Sequence, residues 1–281
     1  MSPGAGRRSP GRRRALRASA HVPLLLTALA IAFPVLWAVV TSVKPTAVLY
    51  DLNPLAARPT LDHYRAALDA LPVVRLVLNT AIMSAAVALG QLTVATLAAY
   101  GLTQYRFRTK GVAFALLIGT ALVPQQALVV PHYLLVSRLG LLDSYAGLVL
   151  PQLASSALAV FLLRQQLAAF PAELIESAKL AGATDRLILL RIVIPNLRPV
   201  LTAVGIVVFI QTWNEYLWPL LATSGTSRAT VQVGLRIFET EQGTAWGPLM
   251  AAATLVAAPL VIAYAFAQRR VTDAFLRSGL G

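Results

Sequence analysis

The chain has 281 residues, 57% hydrophobic and 12% charged, with a mean hydropathy of +0.69, and this excludes an ordinary soluble domain. Its net charge of +13 lies between apolar runs of membrane-spanning length, not on one polar surface, so it reports topology and argues against nucleic-acid binding. The absence of cysteine excludes a disulfide framework, a thiol nucleophile and a Cys-based metal site.

Residues 1–20 carry six arginines among Ser, Pro, Gly and Ala without hydrophobic periodicity, which predicts a disordered basic tail. The run Val22–Val43 is long enough for the ~30 Å hydrocarbon core, and no small-residue cleavage site follows it, so it reads as a retained first span containing Pro34. From Lys44 to Pro72 the composition turns mixed, with Pro45, Pro54 and Pro59 and a short helical pattern over Leu61–Leu68; this predicts an extramembrane loop. His21, His63 and His132 each stand alone, without a second ligand at metal spacing.

A second span is expected over Leu76–Gly101, interrupted by Asn79, Ser84, Gln91, Thr93 and Thr96, polar groups that serve either helix packing or a solute pathway. A basic turn, Gln104–Lys110, leads to a third span over Val112–Val130, in which Gln125 and Gln126 beside Pro124 must find partners in protein or in a water-filled cavity. A fourth span is expected over Tyr145–Leu163. A fifth, over Val200–Leu220, ends in Trp213-Asn-Glu-Tyr-Leu-Trp218-Pro219, whose aromatics suit interfacial anchors and whose Glu215 must face water, a cavity or a cation. A polar loop, 221–246, precedes a sixth span over Gly247–Gln268, broken by Pro259, and a basic tail closes the chain.

Between spans four and five lies a charged segment, 171–195. Pro171 suits a first helical position, Glu173 and Glu176 place negative charge in a first turn, and Gly182 suits a left-handed C-cap. Thr184 or Asp185 can cap a second helix that Pro195 limits. Leu174, Ile175, Ala178 and Ala181 form an apolar stripe that asks for a partner. With the N-terminus inside, 17 of the 24 basic residues fall on inner segments, which satisfies the positive-inside rule with six spans, both ends inside and the 171–195 loop in the cytoplasm.

This loop resembles the EAA loop in permease subunits of binding-protein-dependent ABC importers: Glu176-Ser177-Ala178, then Gly182, then Ile194-Pro195. Ser177 replaces the usual middle Ala, and Ala181 stands where sugar-type members carry Asp. The likeness runs over roughly residues 20–272, through Asn79-Thr80, Ala98-Ala-Tyr100-Gly, Arg106-Phe107-Arg108, Pro124, Pro131-x-Tyr133, Leu163-Arg164, Trp213-Asn214-Glu215, Trp218-Pro219-Leu220 and Trp246-Gly247, and it points to the carbohydrate-uptake branch. The last residues, Leu276–Gly281, depart from the family's usual ending.

The resemblance implies an all-α integral membrane protein with six transmembrane helices, the type I ABC importer permease fold, and a cytoplasmic coupling helix between spans four and five. Its parts would be a tail at 1–20, a first span and extracytoplasmic loop at 21–72, a five-span core at 73–270 and a tail at 271–281. Coupling to an ATPase would fall on Glu173, Leu174, Glu176, Ser177, Ala178, Gly182 and Pro195. Asn79, Gln91, Gln125, Gln126, Asn214 and Glu215 are candidates for a solute pathway. No P-loop is present, so ATP and Mg would be bound by partner subunits and the chain would bind no cofactor, hold no metal and have no catalytic residue. Implied partners are a second homologous permease, two ATPase subunits, an extracytoplasmic solute-binding protein, a sugar and the lipid bilayer of a bacterial cytoplasmic membrane. An ion-coupled secondary transporter would place ionisable groups at span centres, where none falls; a scaffold needs neither the interrupted spans nor the capped loop.

Overall fold

A computed structural model describes residues 10–53, 58–240 and 243–278, with side chains described for these except 10–20, 24 and 263–278. The expected tail residues 1–9 and 279–281, and Pro54, lie outside the described residues. The chain divides into two compact units, one of residues up to Ala70 with Phe238–Leu255, the other of Leu71–Ile237 with Val256 onward.

In the first unit, α1 (Pro10–Ser42) carries Pro23 and Pro34 inside it. It begins within the segment whose composition predicts a disordered tail, because Arg12-Arg13-Arg14-Ala15-Leu16-Arg17-Ala18 is a run of strong helix formers. Polar ties fix the foot of α1. The Ser42 and Tyr64 hydroxyls meet at 2.8 Å, the Thr60 N–H donates to Val43 O at 2.7 Å, and buried Lys44 donates to Asp51 O at 2.6 Å while its ammonium stands 4.7 Å from the Trp37 ring centre. Such bonds and the cation–π contact let a lysine stem be buried with its charge satisfied. Tyr64 lies on α2 (Asp62–Ala70), where the periodicity places a short helix. His63 is buried against Gly247, at the start of α13 (Trp246–Ser278); a Cβ there would overlap the imidazole, which would have to move. A short antiparallel hairpin, β1 (Glu239–Thr240) with β2 (Gly243–Thr244), lies within the expected polar loop.

The second unit is built on α3 (Val73–Gln104). Leu76, Thr80, Met83, Val87, Gln91, Ala95 and Ala99 recur at spacings of three and four and are all buried, so one stripe of a single helix receives its neighbours. The expected third span is two helices, α4 (Lys110–Thr120) and α5 (Gln125–Arg138), bent by 95°; the fourth is α6 (Tyr145–Leu153) and α7 (Ala157–Ala168), bent by 52°. Pro124 explains the first break, since the residue before a proline and the missing N–H both oppose helix continuation. Among the described residues, His21–Ser42, Val73–Gln104 and Asp185–Trp213 are each long and apolar enough to cross a membrane, making three candidate spans, or up to five if each bent pair counts as one.

The helix expected to carry the fifth span begins earlier than its hydropathy suggests. After α8 (Ala172–Leu180), α9 (Asp185–Ile188) runs through a π turn, Leu189–Val193, into α10 (Ile194–Trp213). Pro195 therefore does not limit the second helix. The Ile194 N–H reaches back to Leu189 O, and this wider turn absorbs the bond and the space that the Pro195 ring denies to an ordinary turn. The helix stops at Trp213, and α11 (Leu217–Ala222) and α12 (Val231–Leu235) follow. Trp213 and Trp218 are not interfacial anchors but are 4% and 5% exposed, and the Trp218 indole donates to Leu148 O at 3.2 Å. A buried indole needs such a partner for its N–H.

Candidate functional site

Among the described residues of the second unit, two of the clefts carry several polar side chains. The first, of about 80 Å³, is lined by Gln125, Gln126, His132, Gln152, Ser155 and Glu215, with Trp218 as its apolar wall. Gln125 and Gln126 open α5 directly after the Pro124 break, so the bend in the span is what delivers their amides there. His132 stands edge-on to the Trp218 ring, with centroids 6.0 Å apart. A Glu215 carboxylate oxygen accepts the Trp218 N–H at 3.2 Å and so satisfies one of the free donors at the start of α11, where the helix dipole favours negative charge.

The second cleft, of about 370 Å³, is lined by Gln91, Ser155, Gln165, Gln166 and Gln211 against apolar walls from α7 and α10. Ser155 lines both clefts because it sits in the break between α6 and α7. Together they form a tract of amide and hydroxyl groups over apolar surface, with His132 and Glu215 as its ionisable members among these residues. Such surfaces exchange hydrogen bonds with a polyhydroxylated solute without committing a charge to it. A third cleft, of about 720 Å³ between α3, α10 and Leu260–Val261, is almost wholly apolar and offers little to orient a polar solute.

The pathway candidates thus separate. Gln91, Gln125, Gln126 and Glu215 line the clefts, but Asn79 and Asn214 do not. Asn79 is buried, donating to Ser227 O and Ala229 O at 3.1 and 2.9 Å and accepting from the Tyr145 hydroxyl at 2.6 Å. It fastens the 223–230 segment to α3. Asn214 donates back to Ile210 O of its own helix at 2.8 Å and accepts from Gln232 at 3.4 Å. The tract residues that sequence reasoning passes over are His132, Gln152, Ser155, Gln165, Gln166 and Gln211. The one visible signal for them was Ser155-Ser156 interrupting an apolar run.

The 171–195 loop carries the other candidate residues. Pro171 takes the N-cap position of α8, not the first helical one, with an extended backbone. Glu173 is in the first turn, but Glu176 falls in the second, further from the dipole's positive end than the sequence suggests. The end of α8 is a Schellman motif: Gly182 has φ +81°, its N–H donates to Lys179 O at 2.9 Å, and the Ala183 N–H donates to Ala178 O at 3.0 Å. Thr184 caps α9, its hydroxyl accepting the Leu187 N–H at 3.4 Å.

The expected stripe is divided between two surroundings. Ile175 is buried and Ala178 packs on the core, while Leu174 is 48% exposed and Ala181 is also exposed, beside exposed Glu173, Glu176 and Ser177 and Leu180, which is 91% exposed. The helix is thus seated on its own chain by one side and shows acids and leucines on the other. Pro195 is partly buried within the helical run and belongs with the seating residues.

A profile for the family described as "Binding-protein-dependent transport system inner membrane component" matches residues 5–276. The chain belongs to this family. This inner membrane component is similar to proteins named sn-glycerol-3-phosphate transport system permease protein UgpE. That of Yersinia pestis bv. Antiqua is 34% identical over 267 residues, covering 92% of this chain and 95% of the relative; that of Rhizobium meliloti is 30% identical over 260 residues, covering 89% and 92%. Its fold matches a chain from the crystal structure of a bacterial ABC transporter involved in the import of the acidic polysaccharide alginate, with a TM-score of 0.78 at 22% identity over 94% of this chain and 99% of the other. The family read from the loop and its accompanying motifs is thereby borne out, and the chain is a multi-pass membrane component of a transport system.

Proposed function

We propose that this inner membrane component forms half of the solute pathway of an ATP-driven importer of a sugar or sugar-like solute, with energy supplied through the 171–195 loop. In this reading the two bent pairs each count as one span and α13 supplies the sixth, both chain ends and the loop face the cytoplasm, and α8 is the coupling helix. A second homologous permease completes the pathway, two ATPase subunits binding ATP and Mg dock on α8, and an extracytoplasmic binding protein delivers the solute. The relatives' names support a sugar-like solute. The amide and hydroxyl tract supports it independently.

The observation that carries the reading is continuity. One helical rod, from Asp185 through the π turn to Trp213, joins the end of the exposed helix α8 to the cleft residue Gln211. Displacement of α8 is passed along this rod to the clefts, the kind of rigid-body movement that opens a pathway to alternate sides. Glu173, Leu174, Glu176, Ser177 and Leu180 make the contact with the ATPase. Ile175, Ala178, Gly182 and Pro195 fix its direction.

The test is reconstitution with the partner permease, ATPase and binding protein, measuring uptake beside ATP hydrolysis stimulated by the loaded binding protein. Beyond its chain neighbours, no atom stands within 4 Å of a Cβ placed on Gly182, so the penalty for replacing it is conformational, about 1 kcal/mol for a non-glycine residue with positive φ. Gly182→Asn, which tolerates that conformation, is expected to transport; Gly182→Val and Glu176→Lys are expected to remain in the membrane and lose uptake. Normal uptake and stimulation in both of the latter would reduce the loop to a connector.

A further inference from the structure

The Tyr105 hydroxyl donates to an Asp185 carboxylate oxygen at 2.6 Å, joining residues 80 apart in the chain. Each end of this bond is held in place. The Tyr105 N–H donates to Gly101 O at 3.3 Å, so the residue is the C-cap of α3; its ring stands edge-on to that of buried Tyr100 at 6.3 Å; and its carbonyl accepts from Lys110, the first residue of α4, at 3.3 Å. Lys110 also donates to Thr103 O at 3.3 Å. On the other side, Asp185 opens α9 directly after the Thr184 cap, and Ile188 and Val193, both fully buried, seat the following turns. A carboxylate in a helix's first turn needs no partner to be explained. A tyrosine capping another helix and reaching it is a further fact.

We infer that Tyr105 is a positioning residue for energy coupling, clamping the end of α3 and the start of α4 to the first turn of the α9–α10 rod so that all three follow α8. This rests on the coupling reading above. Without the clamp, α3, which carries Gln91 of the cleft, follows the α9–α10 rod only through side-chain packing. With it, α10 and α3, which carry Gln211 and Gln91 of the 370 Å³ cleft, are driven from one point.

The test uses the complete transporter and the cysteine-free background of this chain. Spin labels are placed at Gln104 and Arg186, across the clamp, and in a second preparation at Lys179 on α8 and in the corresponding loop of the partner permease. Distances are read without nucleotide and after trapping with Mg-ATP and vanadate. The expected result is a narrow 104–186 distance that does not change on trapping in the parent chain, and a distance that broadens and shifts on trapping in Tyr105→Phe. Asp185→Ala should match Tyr105→Phe, the double variant should be no worse than either, and Asp185→Asn, which keeps an acceptor oxygen, should restore the parent behaviour in part. A 104–186 distance that changes on trapping in the parent chain as much as in Tyr105→Phe overturns the clamp. The pair between Lys179 and the partner permease separates the two ideas: if it responds to trapping and the clamp variants do nothing, only this inference fails, whereas no response there removes the coupling reading itself.

Discussion

Gln91 of α3 donates its amide to the backbone oxygen of Gln152, at 2.7 Å, where α6 gives way to the break before α7. The same oxygen accepts the Ser155 N–H at 3.2 Å, so the carbonyl freed by the bend is held from two sides. A bend in lipid persists only where such groups find partners in the protein. Gln91→Leu is expected to cost about 1 kcal/mol, the net value of one hydrogen bond, because Ser155 remains. Gln91→Glu sets a carboxylate against a carbonyl in a buried position and is expected to cost several-fold more. Thermal unfolding of the purified protein in detergent orders the two; equal losses would show that packing, not the bond, matters at this position.

Asn79 should behave as a fastener and not as a pathway group. Asn79→Ala strips partners from Ser227 O, Ala229 O and the Tyr145 hydroxyl, and a buried polar group left unpaired costs about 1–3 kcal/mol. Hydrogen exchange is expected to rise over 223–231, where the Val231 N–H also depends on the adjacent Thr80 hydroxyl at 2.9 Å. Competition by solute for whatever uptake remains should be unaltered.

Part of the loop was legible in the sequence because residue type at helix ends is dictated locally: Gly182 by a positive φ, Thr184 by a cap. The clefts were not, because amides at 91, 125, 152, 165 and 211 converge only through two bends whose angles no periodicity encodes. Asn79 and the tryptophans mislead for a related reason. A polar group in a span and an aromatic at its end have the same sequence signature whether they face a pathway, a lipid headgroup or the core.

Asp143 holds the loop before α6 in an acid-sensitive way. It has φ 55°, unusual for a residue other than glycine, and its carboxylate accepts the Ser224 N–H at 2.5 Å and the Ser224 hydroxyl. The hydroxyl first, then the amide, hold the Asp143 carboxyl below its usual range. A depressed folded value means the stabilisation is complete above the usual carboxylate value and is lost as pH falls through the lower, folded one. Protection of the Ser224 amide from exchange should therefore persist into acid and then fall, and Asp143→Ala should lose it at all pH values.

The orientation of the chain admits a direct check. A single cysteine at position 179, on exposed α8, should react with an impermeant thiol reagent in inside-out vesicles and stay unlabelled in whole cells, because the basic residues partition to that side. Labelling from outside would invert the proposed topology and separate α8 from any cytoplasmic ATPase.

The broken spans bear on how this protein is made. At ~1.5 Å per residue, the 11 residues of α4 and the 9 of α6 reach only about half of the ~30 Å hydrocarbon core, so neither half-helix is a stable insertion unit. The carbonyl at the α6–α7 break takes its second partner from Gln91, which belongs to a helix synthesised earlier. Biogenesis should then have a fixed order, in which α3 enters the bilayer as the 32-residue template and the bent pairs leave the insertion machinery only once that template is beside them. A chain truncated after Ala168 should integrate, whereas the same segment lacking α3 should be held by the translocon or degraded.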